Sequence, residues 1–313
     1  MCREAAIGIR KSIKAALGCS LIACDASQIE ARILSYVAGE YELHRAFAEG
    51  QDVYSEFASA VFGEKVVKSK GTSPGELRMK ALRKVGKTAI LGLGYSMGAD
   101  RFNGTMKVSA EGRMLFKAGT LNEPICHKIV SSYRRTYSKI KAFWTSCEDA
   151  FISAAEGGSQ CLMEHLCFFS KGDTVYIRLP SGRKLVYPGV KLSPPAKKTI
   201  EYTDEYGERR SFDAVKREIR YGNNIYLFGG KITENIVQAI ARDILVDTMR
   251  RIEERGWPIW FHIHDEILCM PPENDAERCL SDMIEEWRRT PTWINGLVLD
   301  AEGCTGNNFL DIA

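Results

Sequence analysis

Asp25 closes the apolar run Leu21-Ile-Ala-Cys, and Asp265 and Glu266 lie in the polar break of "WPIWFHIHDEILCMPP". A carboxylate at the end of a buried strand is poorly solvated, and two brought together repel, so each needs compensating charge. Magnesium supplies it, taking carboxylate and phosphate oxygens in octahedral geometry. Two such ions can activate an attacking hydroxyl and stabilise the leaving oxygen of a phosphoryl displacement. Elsewhere, Arg83, Lys87, Leu91 and Tyr95 follow one another at intervals of four. On a helix they form one slowly precessing stripe. Two cations one turn apart can grip phosphates, with an apolar residue and a ring further along for sugar and base. Taken singly, each feature is ordinary: a lone Asp after a strand is usually a cap, and a basic helix face is usually solvated.

The elements that must position these groups are legible. "SLIACD" reads as a buried strand delivering Asp25 to its end, and "ASQIEARILSYVAGE" as a helix with Ser27 and Glu30 at capping-box spacing. Residues 41–165 read as mainly helical. Between 173 and 230, "DTVYIRLPSGRKLVYP" and "TIEYTDEYGERRSF" alternate like hairpins. Helix returns after "YLFGGK", with Ile236, Val237, Ile240, Ala241, Ile244 and Leu245 at helical spacing.

"GKT" at 86–88 imitates the end of a phosphate-cradling loop, which needs a strand before it so that glycine-rich backbone can aim N–H groups at phosphates. Upstream stands Ser73-Pro74-Gly75-Glu76 instead: Ser at N-cap, Pro at N1, Glu at N3. The stretch is therefore a helix. Gly86, Gly92 and Gly94 each cost that helix about 1 kcal/mol, so another surface is expected to approach its backbone closely.

With 45% hydrophobic and 27% charged residues, the chain is an ordinary folded protein. A net charge of +3 is too small to argue for nucleic-acid binding by itself. No apolar run approaches the ~20 residues of a membrane span. Arg3, Arg10, Lys11 and Lys14 before "AALGCSLIAC" imitate a short export signal, but Gly18 and Ser20 interrupt it and a buried strand fits better. Ten scattered cysteines without paired CxxC units predict reduced thiols. Cys161, His165 and Cys167 form a tight soft-ligand cluster, but no fourth zinc ligand accompanies them.

The order of these features resembles the family A DNA polymerases, especially their phage-type branch. "DASQIEAR" (Asp25 to Arg32) is similar to the family's motif A, Arg83-x3-Lys87-x3-Leu91-Gly92-x2-Tyr95 to motif B, and His264-Asp265-Glu266 to motif C. "ENIVQAIARDIL", with Gln238, and "LPSGRKLVYP" also match phage-type members, so the resemblance covers nearly the whole chain. It implies an α+β right-hand fold: a palm of antiparallel sheet and helices from residues 1–45 and 229–313, and mainly helical fingers, 46–228, with a β-hairpin-rich insertion. Asp25 and Asp265 would ligate two Mg²⁺ ions, with Glu266 an accessory carboxylate. Arg83 and Lys87 would bind the triphosphate, Lys87 also protonating the departing pyrophosphate. Leu91 and Gln28 would face the nucleotide, and Tyr95 the templating base. Gln238 and His264 would lie at the primer end, and Glu30 would crowd the sugar 2′ position and reject ribonucleotides. The implied partners are primer–template DNA and dNTPs, in DNA replication, with a cytoplasmic location.

Some positions depart from that pattern. Leu91 stands where many relatives carry Phe or Tyr, implying a looser contact to the deoxyribose. Ser96 replaces the usual Gly after Tyr95, which puts local bending in doubt. The chain starts late: a thumb and a 3′–5′ exonuclease would precede motif A, so the resemblance implies a piece of a longer enzyme or one completed by a separate polypeptide or accessory proteins. The DNA grip is then expected to be weak and salt-sensitive. The segment near 190–228 is extra relative to compact members, and a partner-docking role is the reading left for it. Of the rivals, a single-subunit RNA polymerase is disfavoured by Glu30 and Glu266, and a nucleotide hydrolase by the helix start at Ser73. An inactive DNA-binding remnant is disfavoured by the full set of carboxylates and cations.

Overall fold

The computed structural model describes residue 8, residues 10–203 and residues 208–312. Cys2 and Arg3 lie outside the described residues, as does the tip of the second hairpin at 204–207. The chain begins with β1 (Leu21–Ala26) and the helices α1 (Ile29–Val37), α2 (Tyr41–Ala48), α3 (Val53–Phe62), α4 (Pro74–Leu93), α5 (Ala99–Val108), α6 (Ala110–Lys117), α7 (Glu123–Thr136) and α8 (Ser138–Ala155). Short strands follow: β2 (Ser159–Met163), β3 (Leu166–Lys171), β4 (Thr174–Arg178), β5 (Lys184–Tyr187), β6 (Lys191–Leu192), β7 (Ala196–Thr203), β8 (Arg209–Lys216), β9 (Ile219–Tyr221) and β10 (Ile225–Leu227). The chain closes with α9 (Gly229–Glu254), β11 (Ile259–Ile263), β12 (Glu266–Cys269), α10 (Ala276–Arg288), β13 (Ala301–Gly306) and α11 (Phe309–Ile312). The class is α+β, as expected. No helix among the described residues is long and apolar enough to cross a membrane.

Contacts divide the chain into two units, Met1–Ile33 with Gln238–Ala313, and Leu34–Val237. The first is built on an antiparallel sheet of order β11-β12-β1-β13. β1 is interior to the sheet and buried on both faces, which explains its unbroken apolar run. Leu21, Ala23, Leu268, Phe309 and Ile312 form the core on one face. The other face meets α10: a Cβ on Gly303, which is registered against Cys24, would lie 2.8 Å from Leu280 Cδ1. The same Cβ would meet the backbone carbonyl oxygen of Ala23 at 2.7 Å, which no side-chain rotation relieves, so the position requires glycine.

The end of α9 is clamped to α10 by a buried ion cluster. Arg251 Nε donates to Glu286 Oε2 at 2.9 Å, and Arg255 Nε to Glu286 Oε1 at 2.6 Å. Arg251 also pairs with Asp247 and donates to the carbonyls of Glu286 and Arg289. Glu286 is 2% exposed and Arg251 6%, so removing the carboxylate strands buried positive charge. Glu286→Ala is expected to cost ~3–5 kcal/mol, read from the midpoint of chemical denaturation at unchanged slope.

In the second unit α4 opens as expected. The Ser73 side chain accepts from the Glu76 amide, the Glu76 carboxylate accepts from the Ser73 amide at 3.1 Å, and Pro74 takes the first helical position. The phosphate-loop reading of "GKT" is excluded, since residues 86–88 lie deep inside a helix. The glycines have the expected cause. A Cβ on Gly86 would run into the carbonyl oxygen of Tyr54 on α3, and one on Gly94 would come within 2.6 Å of Leu34 Cδ2. The same closeness lets Trp144 Nε1 donate to the Gly94 carbonyl at 2.7 Å.

Both hairpins form, β4–β5 and β7–β8. Two expectations need correction. Cys161 and Cys167 are joined by a disulfide, so the thiols are not all reduced. The reason is register: β2 and β3 place these residues directly opposite each other, where Cβ atoms come within bonding reach. Second, α1 begins at Ile29, which leaves Ser27 one residue outside the N-cap position that its spacing suggested. Gln28 takes that place, with left-handed backbone at φ +53°.

Candidate active site

In the first unit, the carboxylates are assembled by strand register. Asp25 of β1 pairs directly with Glu266 of β12 on one side and with Glu302 of β13 on the other. Residues directly opposite in an antiparallel pair project from the same face, so three carboxylates stand in a row across the sheet. Asp265 occupies the bend between β11 and β12 and is tied to β1 by its carbonyl, which accepts from the Ala26 amide at 3.3 Å. Asp25 is the exposed residue of an otherwise buried strand. Burial holds the Glu266 carboxyl above its usual range; Arg10 opposes this and Asp265 adds to it. Like charges held this close cost stability unless a cation joins them.

The backbone around the row is constrained. His264, exposed in the two-residue bend, has φ +53°. At a two-residue hairpin bend this conformation suits the strand twist but strains a non-glycine residue. Gln28 is similarly placed after β1. Arg32, 3% exposed, braces that turn: Nε donates to the Ser27 carbonyl at 2.8 Å, NH1 to the Val298 carbonyl and NH2 to Gln28 Oε1, both at 3.4 Å. The Gln28 side chain is thereby drawn toward Arg32. Glu30 lies half-buried in the first turn of α1, and Gln238 is exposed on α9.

In the second unit, Arg83 and Lys87 project from α4 over α3. The Arg83 guanidinium grips Asp52 at two points, Nε to Oδ2 at 2.7 Å and NH2 to Oδ1 at 3.0 Å. It also lies 5.3 Å from the centroid of the Tyr54 ring, with Lys87 Nζ 6.0 Å from the same ring. Burial pushes the Asp52 carboxyl up, but hydrogen bonds from Arg83 and Ser55 outweigh it and hold the carboxyl below its usual value. Leu91 is half-buried one turn beyond Lys87. The stripe stops there. α4 ends at Leu93, and Tyr95 follows in a tighter turn, its amide donating to the Gly92 carbonyl at 3.3 Å. Ser96 has φ +66°, so the chain bends at a non-glycine residue held in left-handed backbone, at some strain.

Asp52, Tyr54 and Glu302 were not singled out by sequence, and Arg32 entered only as the end of "DASQIEAR" with no role given to it. Asp52 gave a signal, the helix-cap pattern Gln51-Asp52-Val53, and it does cap α3 by accepting from the Ser55 amide. Its second partner is 31 residues away and leaves no local trace. Asp100 and Glu123, both exposed, and half-buried His127 lie close enough to share an ion, on α5 and α7 rather than at the expected carboxylates.

The sequence model of DNA polymerase family A matches residues 2–171, more than half of the chain. The chain belongs to that family. This family A chain is 30% identical over 285 residues to the DNA polymerase of Bacillus phage SP02, covering 89% of itself and 39% of that protein. To the thermostable DNA polymerase I of Thermus thermophilus it is 25% identical over 274 residues, 86% of this chain and 25% of that one. It thus spans well under half the length of these relatives. Its fold matches the POL domain of Pol1 from M. smegmatis, solved in complex with DNA primer-template and dNTP. The TM-score is 0.56 at 17% identity, over 100% of this chain and 44% of that one.

Proposed function

We propose that this chain catalyses template-directed DNA synthesis, transferring a nucleotidyl group from a dNTP to a primer 3′-hydroxyl. The observation that carries the reading is the registration of Asp25 against Glu266 with Asp265 in the adjoining bend, within a family of DNA polymerases. All the donors there are hard oxygens, the chemistry that suits Mg²⁺. Asp25 and Asp265 would hold two such ions, which when bound lower the barrier by polarising the attacking hydroxyl and the phosphoryl oxygens. Glu266 adds negative charge beside them.

The remaining residues bind and orient. Arg83, fixed by Asp52 through Nε and NH2, offers its NH1 donors to the triphosphate. Lys87, exposed and flexible, adds a point charge and can pass a proton to departing pyrophosphate. Leu91 faces the sugar and Tyr95 the templating base, while Gln28 shapes the nucleotide site through its tie to Arg32. Gln238 and His264 steady the primer end. Glu30 fills the space a 2′-hydroxyl would need. The phage-type branch is favoured by the SP02 match.

The test is extension of a labelled primer on a template with Mg²⁺ and dNTPs; a primer left at its starting length overturns the reading. Glu30→Ala is expected to reduce discrimination against ribonucleotides by about 10²-fold, compared as kcat/KM for dGTP and GTP. Unchanged discrimination would retire Glu30 as the sugar gate.

A further inference from the structure

The ribbon β7–β8 belongs to none of the machinery above, and its two faces differ in chemistry. Its register sets Ala196 opposite Lys216, Lys198 opposite Ala214, Ile200 opposite Phe212 and Tyr202 opposite Arg210, all on one face. That face carries Lys198, Arg210 and Lys216 around two rings, and no carboxylate of either strand. Glu201 and Asp213 both fall on the other face, where Asp213 accepts from Thr199 Oγ1 at 2.9 Å. Tyr202 is 46% exposed and Phe212 52%, their ring centroids 6.0 Å apart. Two large rings left this open in a narrow ribbon have no core to serve.

The face continues beyond the ribbon. Lys198 Nζ pairs with Glu218 at 2.9 Å, Glu218 pairs with Arg220, and Arg220 lies 5.7 Å from the centroid of the Tyr226 ring. Tyr226 is 49% exposed and stacked on Phe228. Cations and open rings therefore alternate along one track from the ribbon to the β9–β10 hairpin. Lys198 and Arg210 are held by Glu218 and Glu208 in exposed pairs that contribute little and that phosphates can replace, while Lys216 pairs with the half-buried Glu148.

We infer that this track, centred on Tyr202, Phe212 and Arg210, binds single-stranded nucleic acid, its rings stacking on unpaired bases and its cations following the phosphates. Charge favours this occupant over a protein, since a polyanion matches a face cleared of strand carboxylates, and stacking requires bases that a duplex keeps hidden. The inference rests on the proposed function only in naming DNA as the strand; the binding itself needs no catalysis.

The test uses the full chain and a fluorescein-labelled oligo-dT, followed by anisotropy, with a blunt duplex of equal length as comparison. Tyr202→Ala/Phe212→Ala is expected to weaken oligo-dT binding tenfold or more, and duplex binding much less. Tyr202→Trp/Phe212→Trp is expected to restore it, which a merely structural role would not do. Arg210→Gln is expected to lower the salt dependence of oligo-dT binding by about one ion. Oligo-dT affinity within twofold of the parent in the folded double-alanine variant overturns the inference. So does a change in sedimentation with binding intact, which would assign the face to a protein. Because anisotropy does not involve primer extension, failure here and failure of the polymerase reading are separately visible.

Discussion

Asp265→Asn is expected to slow primer extension by at least ~10³-fold while leaving the fold slightly more stable. The rate loss follows from removing a carboxylate that would hold Mg²⁺, a contribution of several kcal/mol to stabilising the transition state. The stability gain follows from the sheet. Asp25, Glu266 and Glu302 stand in register, Asp265 adjoins them, and burial already holds the Glu266 carboxyl above its usual range. Deleting one charge from this row relieves repulsion of roughly 0.5–1 kcal/mol. Single-turnover extension and thermal melting without divalent ions measure the two effects. Extension at the parent rate would remove Asp265 from the metal site. A lower melting temperature would mean that its side chain is structural.

Asp52 and Arg83 are expected to behave as one device. Arg83→Ala removes the donor proposed for the triphosphate, and should lower kcat/KM for dNTP about 10²-fold. Asp52→Ala leaves the guanidinium without the two bonds that aim it, and should cost nearly as much. The double variant should be little worse than either single one, a coupling of roughly 2 kcal/mol or more. Additive losses would show that Asp52 acts through its cap on α3 instead. The pH dependence has a definite sign. The folded-state carboxyl is held below its ordinary value, so the pair's stabilisation is full above the ordinary value and is lost only as pH falls through the folded one. Asp52 should therefore add no inflection to the rate profile near neutrality.

Much of this was legible because it is local. The start of α4 could be read from Ser73, Pro74 and Glu76, since a capping box spans four residues. Arg83 and Lys87 could be placed on one helix face, and Gly86 flagged for close approach, by spacing and propensity alone. The same rules misplaced Tyr95, because the chain leaves the helix at Leu93 and bends at Ser96 against the residue's own preference. They also expected free thiols at Cys161 and Cys167, which strand register joins.

By itself, then, the sequence determined the elements, the residue types they carry and the family signature in "DASQIEAR" and "HDE", since these depend on neighbours within a turn of helix or a pair of strand positions. The tertiary structure alone decided that Glu302 stands beside Asp25, that Asp52 holds Arg83, and that Lys198, Arg210 and Lys216 share a face with the rings of β7–β8 while Lys197 falls on the other. Each of these joins residues far apart in the chain. Register and approach at such separations are selected by burying apolar surface across whole sheets and helix pairs. No short window of residues contains that quantity.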